Sequence, residues 1–179
     1  IVLRVIFPAA AVGAAIYAEE WDAGVLHRYD VDPLVAGLAA FVVLDFAVWL
    51  EHVASHKIPI LWRIHRTHHA DTGFDLTTGL RFHPLEIALS MVWKAGVVVA
   101  LGAPASTVLV FEIVLNGMSM FNHSNIRLPL GLDRWLRLVL VTPDMHRVHH
   151  STVRLETDSN YGFNLPVWDR LFGTYREQP

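Results

Sequence analysis

Pro33-Leu-Val-Ala-Gly-Leu-Ala-Ala-Phe-Val-Val-Leu-Asp45-Phe-Ala-Val-Trp49-Leu-Glu51-His52-Val-Ala-Ser-His56 runs from an apolar stretch straight into two histidines four residues apart. Between Pro33 and Leu50 the only charge is Asp45. Such a run reads as a helix that is apolar all round, the pattern of a membrane span or a deeply buried helix. Three further runs resemble it: Val5–Ala18 without a charge, Ile87–Ala103 with only Lys94, and Pro104–Asn122 with only Glu112. At 1.5 Å per residue, helices of about 14–19 residues are roughly 21–28 Å long, close to a hydrocarbon core of about 30 Å. The expectation is an all-α membrane helical bundle of about four transmembrane helices. The competing reading is a soluble all-α protein, but most helices of a soluble bundle need a polar face, and Pro104–Asn122 offers little of one. The first run also fits a signal-peptide core, although no small-residue cleavage site precedes Glu19.

Composition agrees with the runs. The 179 residues are 53% hydrophobic and only 17% charged, against about 25% charged in soluble domains. A formal net charge of −3 leaves no electrostatic footprint for nucleic acid, so no nucleic-acid partner is expected. The length suits one domain spanning 1–179. With no cysteine, disulfides, iron–sulfur clusters and thiolate metal sites are excluded, and any metal is held by nitrogen and oxygen.

Polar blocks separate the runs: Glu19–Asp32, Glu51–Glu86, His123–Arg137 and Asp144–Pro179. If the runs span, the last three blocks share one side of the membrane. They carry Lys57, Arg63, Arg66, Arg81, Arg134 and Arg147 among other cations, which predicts a cytoplasmic position. Nearly all of the eleven histidines fall in or beside these blocks, and His27 alone lies in the first.

Three histidine clusters stand out: His52-Val-Ala-Ser-His56, His65-Arg-Thr-His68-His69 and His146-Arg-Val-His149-His150. Residues three and four apart on a helix are neighbours, so each cluster is expected to fan its imidazoles from one face. Imidazole suits iron, zinc, copper and nickel, and a scarcity of carboxylates argues against magnesium and calcium. Eight histidines exceed the six positions of an octahedral ion, so two metals are the economical reading. His123, at the end of the fourth run, is a ninth candidate ligand; the alternative is a helix-end histidine bonded to backbone. His83, before Pro84, reads equally as a metal-site residue and as a helix cap. His27 reads as a solvated loop residue. Metal-bound histidines need a partner for the second ring nitrogen. Asp45 is a candidate because it precedes His52 by about two helical turns. Glu86, Asp144, Asp158 and Asn160 are the others, together with His83.

With Asp45–His56, His65–His69, Arg81-Phe-His-Pro-Leu-Glu86, Asn122-His-Ser-Asn125, Thr142-Pro-Asp-Met-His146 through Ser151, Glu156–Gly162 and Trp168–Tyr175, the chain resembles the fatty acid hydroxylase and sterol desaturase superfamily of integral membrane non-haem di-iron enzymes. The resemblance covers about residues 45–175, and the Thr-Pro-Asp-Met and Asp-Ser-Asn-Tyr-Gly contexts are closer to its sterol desaturase branch than to carotenoid hydroxylases. It implies membrane helices beneath a cytosolic helical cap that holds two irons. The implied ligands, and so the catalytic residues, are His52, His56, His65, His68, His69, His123, His146, His149 and His150. The implied activity is O2-dependent hydroxylation or desaturation of a lipid C–H bond, fatty acyl, sterol or related, with zinc as a possible substitute metal in a purified sample.

Since the 179 residues include no haem-binding cytochrome module, electrons are expected from a separate cytochrome b5-, ferredoxin- or reductase-type donor. Trp49, Trp62, Trp93 and Phe121 are candidates for a lipid channel or an interfacial belt. Two other classes compete. A zinc-dependent membrane hydrolase predicts a carboxylate base, as in HExxH, a motif this sequence lacks. A non-enzymatic metal binder or transporter predicts polar sites at mid-membrane, whereas these clusters sit at the ends of the runs.

Overall fold

A computed structural model describes residues 2–71 and 73–177. Among the described residues nine α-helices follow one another: α1 (Val2–Glu20), α2 (Pro33–Lys57), α3 (Pro59–His69), α4 (Pro84–Leu101), α5 (Ala105–Asn122), α6 (Leu130–Leu136), α7 (Pro143–His149), α8 (Arg154–Thr157) and α9 (Val167–Leu171). No strand occurs among the described residues. Prolines set several starts: Pro33, Pro59, Pro84 and Pro143 each open a helix, where a missing N–H costs nothing. Thr142 caps α7 by accepting from the Met145 amide at 3.4 Å.

The chain divides into two compact units, one within residues 1–48 and 87–114, the other within 49–86 and 115–179, with the divisions inside α2, α4 and α5. In the first unit α2 turns mostly small residues inward, and large apolar residues of the unit's helices also face outward. Ala36, Ala40, Leu44 and Ala47 of α2 are buried, while Leu34, Leu38, Leu89, Val92 and Ile113 are exposed. Small residues inward allow close helix approach, and large apolar residues outward suit a lipid solvent. Among the described residues three helices, α2, α4 and α5, are long and apolar enough to cross a membrane. The first run, Val5–Ala18, is helical within α1, but α1 is not among those three. The length and apolar composition of the three mark the chain as an integral membrane protein.

Two charges inside these helices answer one another. Lys94 Nζ of α4 lies 2.5 Å from Glu112 Oε1 of α5, both fully buried. An ionisable group in an apolar span is tolerated when it faces inward and is paired. Trp93 Nε1 donates to the Ala47 carbonyl at 2.9 Å, and Glu19 accepts from the first amide of α5, Ala105, at 2.8 Å. Past α4 the chain turns at Gly102, with φ +70°, against Gly24, where a Cβ would stand 2.1 Å from the Gly102 nitrogen. Glycine is required there by contact as well as by dihedral angle.

The second unit holds the ends of α2 and α5, the short helices and the loops. Asp169 is its buried hub. Its two carboxylate oxygens accept from Trp49 Nε1 (3.1 Å), the Tyr161 amide (2.9 Å), the Gly162 amide (2.8 Å) and Thr174 Oγ1 (2.6 Å). Four donors on one buried carboxylate offset its desolvation and fix the 160–162 segment.

Candidate metal centre

All nine histidines singled out as ligands lie in the second unit, and their ring nitrogens converge. They form two groups, each with one nitrogen per residue within 4.8 Å of the others: His52, His56, His65, His69 and His149 in one, and His68, His123, His146 and His150 in the other. Within the groups, Nε2 of His65 is 3.2 Å from Nε2 of His69, and Nε2 of His123 is 3.1 Å from that of His68 and 3.0 Å from that of His146.

The sorting corrects the expectation that each cluster fans onto one face. Residues four apart stay together, as in His52/His56, His65/His69 and His146/His150. The histidine three residues on, His68 or His149, joins the opposite group. Successive residues on a helix are separated by about 100°, so adjacent side chains such as His68 and His69 must diverge. Each HxxHH segment therefore serves both groups. Two stacked pairs stand where the groups adjoin: His69 on His150 (centroids 4.3 Å apart, 17°) and His146 on His149 (5.1 Å, 19°).

Protonation states follow from what lies behind the rings. A backbone carbonyl only accepts, so a ring nitrogen facing one carries the proton and leaves a lone pair on its other nitrogen. Nδ1 faces a carbonyl in His52 (Tyr161, 2.7 Å), His68 (Arg81, 3.3 Å), His123 (Ser119, 2.6 Å) and His149 (Ser159, 2.7 Å). In His65 it meets the Glu86 carboxylate at 2.5 Å. The Nε2 atoms of His68 and His123 are thus two lone pairs 3.1 Å apart, an arrangement that a shared cation would relieve. Two nitrogens bound at a right angle to one ion, each about 2.1 Å from it, are about 3.0 Å apart, so the spacing fits a shared metal.

Protonation of the rings is not an alternative source of that charge. Burial, then repulsion from neighbouring imidazoles, holds His68, His146, His149 and His150 well below the ordinary histidine range, and His69 is lowered to about 2. Neutral imidazoles are the form that binds metal. Phe82 stacks on His68 at 4.2 Å, and Phe74 lies 5.0 Å from His150, so apolar rings close the second group.

The residues expected behind the ligands divide. Glu86 is hydrogen-bonded to His65, and Asp158 comes within 3.6 Å of His56 Nδ1. Asp45 is buried in the first unit, and the His52 nitrogen it was expected to hold is taken by the Tyr161 carbonyl. His83 is a helix cap, since its Nδ1 accepts from the Leu85 amide at 3.2 Å, and it belongs to neither group. Asp144 is engaged by Arg147 of its own helix. Asn160, in left-handed backbone (φ 51°), clamps the Met145 and Arg176 carbonyls and the Arg176 amide, so it supports the backbone of α7 and touches no imidazole. His123 satisfies both readings, with one nitrogen on backbone and the other in the second group. His27 lies apart, exposed in a short 3₁₀ turn. Trp49 is buried and hydrogen-bonded to Asp169, a packing role.

What the sequence did not disclose was Asp169 and the four carbonyls. Carbonyls carry no side-chain signal, and Asp169 looks like any acid beside Arg170. Its one clue was Trp168-Asp-Arg, where an acid interrupts an otherwise apolar pattern.

Comparison with known proteins gives the same direction. The family model described as "Fatty acid hydroxylase" matches residues 37–174. Ornithine lipid hydroxylase OlsE of Rhizobium tropici is 32% identical over 138 residues, covering 77% of this chain and 41% of that protein. Alkylglycerol monooxygenase of Homo sapiens is 35% identical over 163 residues, 90% of this chain and 35% of that protein. Cholesterol 25-hydroxylase-like protein of Danio rerio is 31% identical over 140 residues, 76% and 53% respectively. The chain thus spans less than half the length of the first two relatives. No solved structure matches it.

Proposed function

This chain belongs to the fatty acid hydroxylase family, and from that membership and the histidine geometry we propose that it inserts oxygen from O2 into a C–H bond of a membrane lipid, using two irons. The observation that carries the proposal is the convergence of nine imidazoles, six of them buried and three half-buried, into groups of five and four. Five nitrogen donors exceed the tetrahedral set of a closed zinc site. They suit an ion that accepts higher coordination and imidazole ligands, as iron does.

His52, His56, His65, His69 and His149 would hold one ion, and His68, His123, His146 and His150 the other. Bound there, the irons supply the redox chemistry of O2 reduction and C–H attack. The protein supplies the rest. Glu86 and the Tyr161, Arg81, Ser119 and Ser159 carbonyls keep a proton on Nδ1 of five rings and so keep Nε2 free to bind. Burial, with Phe74 and Phe82 against the second group, excludes water from the reacting region. The lipid enters from the bilayer. The Lys- and Arg-rich blocks that bear the histidines lie on the cytoplasmic side, by the positive-inside rule.

The balanced reaction is C–H + O2 + 2 e⁻ + 2 H⁺ → C–OH + H2O, with the electrons from a separate carrier. The three relatives are named as hydroxylases or a monooxygenase, which favours oxygen insertion over desaturation. A zinc hydrolase is disfavoured because neither group contains a carboxylate oxygen among the described residues, and Glu86 is occupied by His65. The test is metal analysis of the purified protein together with oxygen uptake when a reductant and candidate lipids are supplied. About two irons per chain and lipid-dependent uptake are expected. Zinc-dependent turnover without oxygen consumption overturns the proposal.

A further inference from the structure

The oxygenase reading, on which this inference rests, requires two external electrons per turnover, yet the histidine groups are too deeply buried for a carrier protein to touch most of their rings. One half-buried aromatic bridges that layer. Trp62 of α3 packs against His56 (centroids 4.9 Å), His69 (5.5 Å) and His65 (6.1 Å), three members of the five-histidine group.

Cations surround it. Arg63 follows it in sequence and Arg66 lies one helical turn on; both are exposed, and neither has an ion-pair partner among the described residues. Next to His56, Lys57 Nζ is 3.1 Å from Asp158 and half exposed, and Arg154, 94% exposed, reaches the same carboxylate at 3.8 Å. The set comprises four cations and one carboxylate, in a chain whose overall charge is negative. Exposed Ile60, three residues before Arg63, adds an apolar contact to the same helix face.

We propose that the exposed face of α3, with Lys57 and Arg154, is the docking surface for an acidic one-electron carrier protein, and that Trp62 is the contact through which electrons reach the five-histidine group. Two reduced carriers each lose one electron there and leave oxidised; with two protons, those electrons take the second oxygen atom of O2 to water. Opposite charge on the partner steers encounter and fixes register, and such attraction weakens as salt screens it.

The iron-loaded protein in detergent, mixed in stopped flow with reduced cytochrome b5 as an acidic haem probe, tests this through the haem absorbance. The paired substitution Arg63→Glu and Arg66→Glu is expected to raise the KM for the probe about tenfold or more at low ionic strength and to flatten its salt dependence. Metal content and reduction by dithionite, a small reductant that needs no docking, stay unchanged. Trp62→Leu is expected to slow electron transfer at saturating probe while leaving its KM alone. The proposal is overturned if the charge reversal leaves both KM and salt dependence as they were. It is equally overturned if the reversal acts only by weakening association with vesicles rich in anionic lipid, which assigns the face to the bilayer. A centre that dithionite itself cannot reduce rejects the redox function, a result distinct from failure of docking.

Discussion

The five-histidine and four-histidine groups are built from the same donor and from the same HxxHH segments, yet their backing differs. The five-histidine group has carbonyls behind His52 and His149 but also carboxylates behind two rings, with Glu86 hydrogen-bonded to His65 and Asp158 near His56. The four-histidine group has neutral backbone carbonyls at His68 and His123 and aromatic rings over His68 and His150. An anionic partner makes an imidazole a stronger donor than a carbonyl does, and a fifth ligand fills a further position. Two groups assembled from one motif thus differ through what stands behind the motif: the first would hold an ion more tightly, and the second would leave a position open.

The largest test separates adjacent residues. His149→Ala removes a ring nitrogen from the five-histidine group and His150→Ala one from the four-histidine group. Each is expected to abolish lipid oxidation, while metal analysis finds about one ion retained per chain. Loss of both ions in both variants would merge the groups into one site. Next comes Glu86→Gln, which keeps the shape and removes the charge. In a metal titration of the stripped protein, one of two binding steps is expected to weaken about 10–100-fold while the other holds. Equal weakening of both steps would break the comparison.

Asp169→Asn acts on the same group from further away. The hub places Tyr161, whose carbonyl holds His52. The amide cannot accept from all four donors on both sides, so a loss of about 1–3 kcal/mol is expected, read as a lower melting temperature of the detergent-solubilised protein. The smallest effect is at Asp144, whose side-chain partner among the described residues is Arg147, in a partly exposed pair. Asp144→Ala is expected to cost less than about 1 kcal/mol and to leave metal content unchanged.

Much of the site was legible before folding was considered. Nine histidines on one predicted side of an apolar chain are visible as letters, and the i, i+4 pairs that remain together follow from helix geometry alone. Glu86 was within reach because it opens α4 beside Pro84 and His83, where a carboxylate is favoured by the helix N-terminus. Asp45 misled because it shares a helical face with His52 in sequence, whereas a carbonyl 109 residues away reaches the ring nitrogen. His83 and Asp144 misled for a local reason: short-range bonds to the Leu85 amide and to Arg147 already satisfy them.

By itself the sequence determined which helices are too apolar for water, that any metal must sit on nitrogen or oxygen with imidazole as the main donor, and where along the chain those imidazoles lie. These properties depend on composition and on a period of 3.6 residues, both local. Only the tertiary structure decided that His68 and His149 cross to the opposite groups from their neighbours, and that Asp169 supports the loop behind His52. It also decided that backbone carbonyls set four of the ring protons. The physical reason is that the partner of a buried polar atom is whatever the fold brings within about 3 Å, and no periodicity in the chain encodes that distance.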